Sequence, residues 1–188
     1  MEYRLTTPVT REALAPLRAG DAVLLSGTVY TARDAAHARL CELLRRGKTP
    51  PFPLEGSAVY YVGPTPACPG TPIGAAGPTT SGRMDSFSPM LIERGQLLMI
   101  GKGERSAAVK EAIVRCGAVY LGALGGAGAV MAASVRSARV IAWDDLGCEA
   151  VRELTVEDMP LTVVIDARGN DLYASGPQAY LDSLSNSI

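Results

Sequence analysis

Threonine hydroxyls, glycines and an arginine are concentrated in residues 77–85, which read Gly-Pro-Thr-Thr-Ser-Gly-Arg-Met-Asp. Thr79 and Thr80 supply adjacent hydroxyls, and Arg83 supplies a guanidinium. Gly82 permits a close approach of the backbone, and an apolar pattern at helical spacing follows. We predict a loop that opens a helix and directs N–H groups, hydroxyls and a guanidinium towards an anion. The alternative is an ordinary helix N-terminus with Arg83 in solvent.

Two further cations follow predicted strands. Arg33 comes after a strand predicted at 21–30, in the first turn of a helix, where a cation opposes the helix dipole. Lys102 lies between two glycines after a strand predicted at 97–100. Because ligands bind at the carboxyl ends of strands in open α/β sheets, we expect Arg33, Arg83 and Lys102 to converge. Two guanidiniums, one ammonium and two threonine hydroxyls suit a small dianion.

A complete metal site is not indicated by the sequence. The cysteines are far apart and form no C-x-x-C pattern, which also argues against a disulfide framework, and we interpret them as small buried residues in a reducing cytoplasm. They are Cys41, Cys68, Cys116 and Cys148. His37 is the only histidine, and we interpret it as a packed or hydrogen-bonded structural residue. Either this chain only binds a ligand, or another chain completes the site.

Other polar residues have simpler structural interpretations. Asp85, Asp144 and Asp145 could act as acids, but surface or helix-capping roles are favoured. Residues 125–128 read Gly-Gly-Ala-Gly and could form a second phosphate loop. Because no partner cation or acid accompanies them, we favour close backbone packing there.

The elements that must position these residues can be read from hydrophobic patterns. Strands are predicted at 21–30, 57–62, 97–100, 118–121, 139–143 and 161–166, with a bulge at Gly27. Helices are predicted from Thr31 to about Gly47, from just after Gly82 to 94, and from 106 to 116. Thr31 and Asp34 form a variant capping box. The connections are Pro-rich loops at 48–56 and 63–77, a partly helical segment at 144–154, a turn at 167–170, a hairpin return at 171–173, and a poorly ordered polar tail from 175.

Composition narrows the class of protein. The chain has 188 residues, of which 47% are hydrophobic and only 5% aromatic, so we expect a single α/β domain spanning 1–188. A formal net charge of -1 gives no general attraction for nucleic acid or an anionic membrane. The N-terminus lacks the apolar core of a signal peptide, in keeping with a cytoplasmic location. Residues 116–135 carry no charge but many glycines, so we predict a strand, a glycine turn and a short helix there rather than a membrane span.

Several motifs together resemble the β subunit of class I, iron–sulfur-dependent fumarate hydratase, which is also the C-terminal domain of single-chain members. The motifs are residues 27–37, 60–64, 77–85, 101–103, 125–126 and 162–166. The resemblance implies a three-layer swivelling β/β/α domain with a mixed sheet flanked by helices. It also implies a 4Fe–4S cluster held by three cysteines of a partner α subunit, and the reversible hydration of fumarate to (S)-malate.

The resemblance also implies roles for individual residues. Arg33, Arg83 and Lys102 would hold the substrate carboxylates, and Thr80 would form a hydrogen bond nearby. Thr79 would take the C3 proton of malate, which requires strong local positive charge because threonine is a weak base. The residual acid would lie on the α subunit, so this chain would be inactive alone.

Two alternatives remain open at this point. The β subunit of L-tartrate dehydratase carries the same threonine pair, but it tends to have cysteine before the Arg-Asp motif and a bulkier residue where Gly82 stands. Ala32 and Gly82 in this chain favour the fumarase. The other alternative is a dicarboxylate-binding or regulatory module without a partner. An α2β2 assembly is expected from the family, and the isolated chain could pair with itself through the surface meant for its partner.

Overall fold

The computed structural model describes residues 1–124 and 126–185, and within these ranges seven strands form one mixed sheet flanked by helices. The strands are β1 (Glu2–Thr6), β2 (Ala22–Thr31), β3 (Ala58–Tyr60), β4 (Leu98–Gly101), β5 (Val119–Gly122), β6 (Val135–Ala142) and β7 (Val151–Ile165). The α-helices are α1 (Arg11–Leu14), α2 (Asp34–Arg45), α3 (Ser88–Glu93), α4 (Ala107–Cys116), α5 (Gly128–Ala133) and α6 (Leu172–Ser185). Short 3-10 helices cover Ser81–Met84 and Asp144–Glu149. The predicted α/β class is confirmed.

The sheet brings several loops to one edge. Its order is β1-β2-β3-β4-β5-β7-β6, and neighbours from β1 to β5 are parallel. The long strand β7 runs antiparallel to both β5 and β2, so the pairing closes into a ring through β2, β3, β4, β5 and β7. Because β2 to β5 are parallel, their carboxyl ends lie at the same edge, where the loops with the predicted site residues begin.

Strand β2 confirms the predicted irregularity at Gly27 but not the capping box after it. The β2–β7 register shifts between Leu25 and Gly27. Thr31 is the last residue of β2, and its hydroxyl accepts a 2.9 Å hydrogen bond from the backbone N–H of Arg152. The neighbouring strand therefore takes the hydroxyl that was expected to cap α2. The N-cap position belongs to Arg33, which makes no side-chain capping bond.

The loop at 77–85 was predicted to open directly into a helix, but the structure differs. A 3-10 turn at Ser81–Met84 comes first, and α3 begins separately at Ser88. The Ser81 N–H donates a hydrogen bond to the carbonyl of Lys102, the residue after β4. Pro89 lies in the first turn of α3, where proline is well tolerated. The single predicted helix is therefore two short elements joined at a bend.

Two predictions for the C-terminal part were wrong. Residues 151–154, predicted as the end of a partly helical connection, belong to β7, whereas the 3-10 helix Asp144–Glu149 agrees with the helical part of that prediction. The strand was missed because outward charges, such as Glu153, conceal its pattern. Residues 175–185, expected to be a poorly ordered polar tail, belong to helix α6, although Asp171 does bridge back to Ile165. Asp171 accepts the Tyr173 N–H and begins the helix, and Pro177 inside it weakened the helical pattern.

The uncharged stretch at 116–135 folds as predicted into β5, a turn and α5. Within the described ranges no helix combines the length and apolar character needed to cross a bilayer. Gly128 accepts a 2.9 Å hydrogen bond from the Ala76 N–H, and a Cβ added there would lie 3.0 Å from the nitrogen of Gly77. This bears out the packing interpretation for Gly128, whereas Gly125 lies outside the described residues.

Candidate functional site

Two of the predicted cations meet at one carboxylate. Arg33 follows β2, and Arg83 lies in the 3-10 turn Ser81–Met84. The Nε atom of Arg83 donates a 2.8 Å hydrogen bond to Oδ1 of Asp34, and Nη2 of Arg33 lies 3.9 Å from Oδ2 of the same residue. The side chain of Arg83 is 52% exposed and that of Arg33 only 18%. Asp34, which was expected to cap a helix, instead hydrogen-bonds Arg83 and forms a longer ion pair with Arg33.

A second carboxylate holds Arg33 from the other side. Oε1 of Glu149 lies 3.3 Å from Nη2 of Arg33, and Oε2 accepts a 3.1 Å hydrogen bond from the Ala35 N–H in the first turn of α2. A Cβ added to Gly63 would lie 2.9 Å from Nη1 of Arg33, so a larger residue here would displace the guanidinium from its position. Arg33 is therefore placed by contacts with Asp34, Glu149 and Gly63, which come from three separate segments of the chain.

The threonine turn is fastened across the ends of β3 and β4. The Thr79 N–H donates a 2.7 Å hydrogen bond to the carbonyl of Tyr61, and the Ser81 N–H donates a 2.8 Å bond to that of Lys102. The Lys102 N–H donates in return to Oγ of Ser81 at 3.1 Å. A Cβ on Gly101 would lie 2.0 Å from this Oγ, so only glycine allows the approach. The amides of Thr79 and Ser81 are thus not available to an anion, contrary to prediction.

Lys102 and Thr80 line a cavity of about 460 Å³. Leu172 and Tyr173 of α6 form part of its wall, and the Tyr173 hydroxyl accepts a 3.0 Å hydrogen bond from the Gly103 N–H. Among the residues that the structure describes, the lining does not include the two guanidiniums. The predicted site therefore consists of a guanidinium pair and a lysine cavity, which the turn at 79–83 connects.

Packing within this chain does not require a glycine at position 82. A Cβ added there would meet only the carbonyl oxygen of Glu104, at an ordinary distance of 3.7 Å. The predicted close approach at Gly82 is therefore absent from the described contacts, and its surface is open to a ligand or to another chain.

The structural interpretation of His37 is confirmed. The ring is fully buried, Nδ1 donates to the carbonyl of Arg33 at 2.9 Å, and the ring meets that of Tyr61 edge-on at 5.2 Å. Burial lowers the pKa of His37 to about 4, so the ring is neutral at pH 7. A neutral, packed ring that holds a backbone carbonyl helps to fix the position of Arg33.

The predicted capping and surface roles also hold for the aspartates with described contacts. Asp85 accepts a 2.5 Å hydrogen bond from the N–H of Ser106, the N-cap residue of α4. Asp145 forms a two-pronged ion pair with Arg39 at the surface. Asp144 is exposed.

The cysteines do not fit a 4Fe–4S cluster. Cys41 is buried in α2 and burial raises the pKa of its thiol, but Cys68 and Cys148 are exposed, which corrects the expectation that all would be buried. Across residues 1–124 and 126–185 no three His, Cys, Asp or Glu side chains are grouped to hold a metal ion.

Two residues in the site region were missed from the sequence. Glu149 lies 114 positions from its partner Ala35, and no local pattern links them. Arg105 has a fully buried side chain whose Nε donates to Oδ1 of Asp85 at 2.7 Å. Its only local signal is its position just after the Gly-Lys-Gly turn and just before α4.

Comparison with known proteins agrees with the motifs. Residues 1–176 match the family model described as Fumarase C-terminus. The chain is 41% identical over 151 residues to the anaerobic class I fumarate hydratase of Escherichia coli (79% of this chain, 28% of that protein) and 39% identical over 166 residues to fumarate hydratase 2 of Leishmania major (87% and 29%).

A third relative matches over almost its full length. The chain is 34% identical over 187 residues to the L(+)-tartrate dehydratase subunit beta of Escherichia coli, covering 97% of this chain and 92% of that protein. The chain thus spans under a third of the fumarate hydratases that it matches but nearly the whole of a separate subunit. On the family model and these relatives, the chain belongs to the fumarase C-terminus family.

Proposed function

We propose that this chain is the β subunit, and the carboxylate-binding half, of a two-subunit hydro-lyase that reversibly hydrates fumarate to (S)-malate. The observation that carries the proposal is the shared carboxylate of Asp34. It engages Nε of Arg83 at 2.8 Å, while 52% of that side chain remains exposed. A guanidinium held by one edge can still offer its two Nη atoms to a ligand carboxylate.

The two parts of the site suit the two ends of a dicarboxylate. Arg33 and Arg83 bind one carboxylate, and Lys102 with the hydroxyl of Thr80 binds the other. Asp34 and Glu149 orient the guanidiniums and compensate part of their charge, so that substrate binding does not require two bare cations to lie close together.

Thr79 is the proposed acceptor of the C3 proton. Its backbone is fixed by the 2.7 Å hydrogen bond to Tyr61, and it lies in the turn that joins the guanidinium pair to the lysine cavity. A threonine hydroxyl is a weak base, so this role depends on the positive charge of the surrounding side chains.

The second half of the site would come from an α subunit. The cysteines of this chain do not fit a 4Fe–4S cluster, which supports its placement on the partner together with the acid of the reaction. The near full-length match to a relative named as a subunit beta supports a two-chain enzyme. We therefore expect the isolated chain to be inactive. We also assign residues 1–188 to one swivelling β/β/α domain, with support from the closed ring of strand pairs.

The test is an anaerobic assay with the cluster-loaded α-type subunit from the same genome. Loss of the ultraviolet absorbance of fumarate is followed for each subunit alone and for the two together. We expect hydration only from the pair. Absence of hydration by a pair whose cluster is intact by absorption spectroscopy would refute the proposal.

Dehydration of L(+)-tartrate is the second candidate, because the match that covers nearly a whole relative is to a tartrate dehydratase subunit. Offering the same complex fumarate and L(+)-tartrate separates the two reactions by their kcat/KM values. Titration calorimetry of the isolated chain addresses the partnerless alternative. Tight binding of malate without the α subunit would favour a binding module over half an active site.

A further inference from the structure

The guanidinium of Arg105 is surrounded by protein. Its side chain is completely buried, Nε donates to Asp85 at 2.7 Å, and Nη2 donates to Oγ of Ser88 at 2.8 Å. The guanidinium carbon lies 5.3 Å from the ring centre of Tyr61 and 5.0 Å from that of Tyr120, within the range of cation–π attraction. With its donors and faces occupied in this way, Arg105 is not placed to bind a ligand.

Each neighbour of Arg105 leads to a different part of the site. Asp85 ends the 3-10 turn that carries Arg83. Tyr61 supplies the carbonyl that accepts the Thr79 N–H. The hydroxyl of Tyr120 lies 2.9 Å from Oγ of Ser81 and 3.0 Å from the carbonyl oxygen of Gly103, next to Lys102.

A charged residue at this position needs a reason beyond stability. Removing a guanidinium and a carboxylate from water costs several kcal/mol per ion, and well-packed apolar residues often stabilise a core equally well. What apolar residues cannot provide is directional contact with several partners, and the rigid planar fork of arginine provides it in a way that lysine cannot.

We propose that Arg105 is a positioning residue that fixes the turn bearing Arg83 against the loop bearing Lys102. It thereby sets the two carboxylate subsites at the spacing of a four-carbon dicarboxylate. This inference rests on the proposed function, since it assumes that both loops bind one substrate.

The first test uses the assembled two-subunit complex with Arg105→Lys, which keeps the charge but loses the fork. Arg115→Lys is the matched control, because Arg115 also pairs with a carboxylate, that of Glu93, but its side chain is 55% exposed. Inhibition constants are measured for succinate, which needs both subsites, and for butyrate, which needs one. We expect the constant for succinate to rise about tenfold or more and that for butyrate to stay within about twofold, because small misplacements strongly weaken two-point binding.

Equal changes for the two inhibitors, or no change, would overturn the proposal. Succinate that fails to bind the unsubstituted complex would instead refute the proposed function, and with it the diacid spacing. The result for the Arg115→Lys complex should match the unsubstituted complex for both inhibitors.

The second test does not require activity. Hydrogen exchange is measured on the full chain for the Ser81 amide, which donates to Lys102, and for the Thr7 amide, which donates to Ser26 at 3.0 Å. Arg105→Lys should speed exchange at Ser81 about tenfold and leave Thr7 unchanged, because local opening is separable from global unfolding. Equal acceleration at both amides, or none at Ser81, would contradict a positioning role even if the complex is active.

Discussion

Two arginine–aspartate pairs in this protein have almost the same geometry and very different surroundings. The Nε–Oδ1 distance is 2.8 Å for Arg83 and Asp34 and 2.7 Å for Arg105 and Asp85. The arginine side chain is 52% exposed in the first pair and fully buried in the second. The first pair lies at the surface of the candidate site, and the second lies beneath it.

The contrast shows that burial, and not the ion pair itself, decides what such a pair contributes. An exposed pair adds about 0–1 kcal/mol to stability and leaves donors for a ligand. Breaking a buried pair costs about 3–5 kcal/mol, because the remaining charge stays in the interior without a partner. The exposed pair should therefore serve the substrate, and the buried pair should serve the fold and the geometry of the site.

The largest effect is expected for Arg105→Met, which leaves Asp85 without its buried partner. We expect the free energy of unfolding to fall by about 3–5 kcal/mol, measured by urea denaturation of the isolated chain. Asp85→Leu combined with Arg105→Met should recover part of this loss, because it removes the stranded carboxylate. A decrease of less than about 1 kcal/mol in the free energy of unfolding of Arg105→Met would contradict the claim that the buried pair contributes more to stability than the exposed pair.

Arg83→Ala tests the exposed pair in the opposite way. We expect kcat/KM of the complex to fall roughly 150-fold, because a charge contact to the substrate is lost. This corresponds to a loss of about 3 kcal/mol of transition-state stabilisation. The free energy of unfolding should change by less than about 1 kcal/mol. Arg115→Ala removes an ion pair elsewhere whose arginine is 55% exposed, against 52% for Arg83, and should leave both quantities unchanged. Lost stability with preserved activity would reverse the assignment.

The pKa of His37 depends on both arginine–aspartate pairs. Burial is the main cause that lowers this pKa, Arg105 lowers it as well, and Asp34 raises it. The pKa is about 4 in the folded chain against 6.5 for the free side chain. The unfolded state therefore binds the proton first as the pH falls. The free energy of unfolding should drop by up to about 3 kcal/mol as the pH falls from about 6.5 to 4. His37→Gln should abolish this part of the pH dependence, and an unchanged slope in denaturation at several pH values would show that His37 is not neutral and buried.

The smallest effect is expected for Asp34→Asn. The amide keeps the shape of the side chain but loses the charge that aligns the two guanidiniums, so kcat/KM should fall about tenfold. The free energy of unfolding should move by less than about 1 kcal/mol, as determined by thermal denaturation. A variant as active as the unsubstituted protein would mean that Arg33 and Arg83 are oriented by other contacts.

The same contrast explains what could be predicted from the sequence. Arg33, Arg83 and Lys102 follow strands with clear apolar patterns, so their placement at one edge follows from parallel pairing. The contacts of Glu149 and Arg105 could not be predicted, because their partners come from distant segments. The local sequence assigns the Thr31 hydroxyl to a helix cap, but in the structure this hydroxyl accepts a hydrogen bond from Arg152 of β7. This contact could not be predicted because outward charges hide the strand pattern of β7.

The most direct test of the account is the rate of fumarate hydration by the anaerobically assembled complex that contains Arg83→Ala, beside the complex with Arg115→Ala. We expect a loss of about two orders of magnitude in kcat/KM for Arg83→Ala, none for Arg115→Ala, and equal unfolding curves for the two chains. Equal hydration rates in the two complexes would contradict the claim that the exposed arginine–aspartate pair binds the substrate.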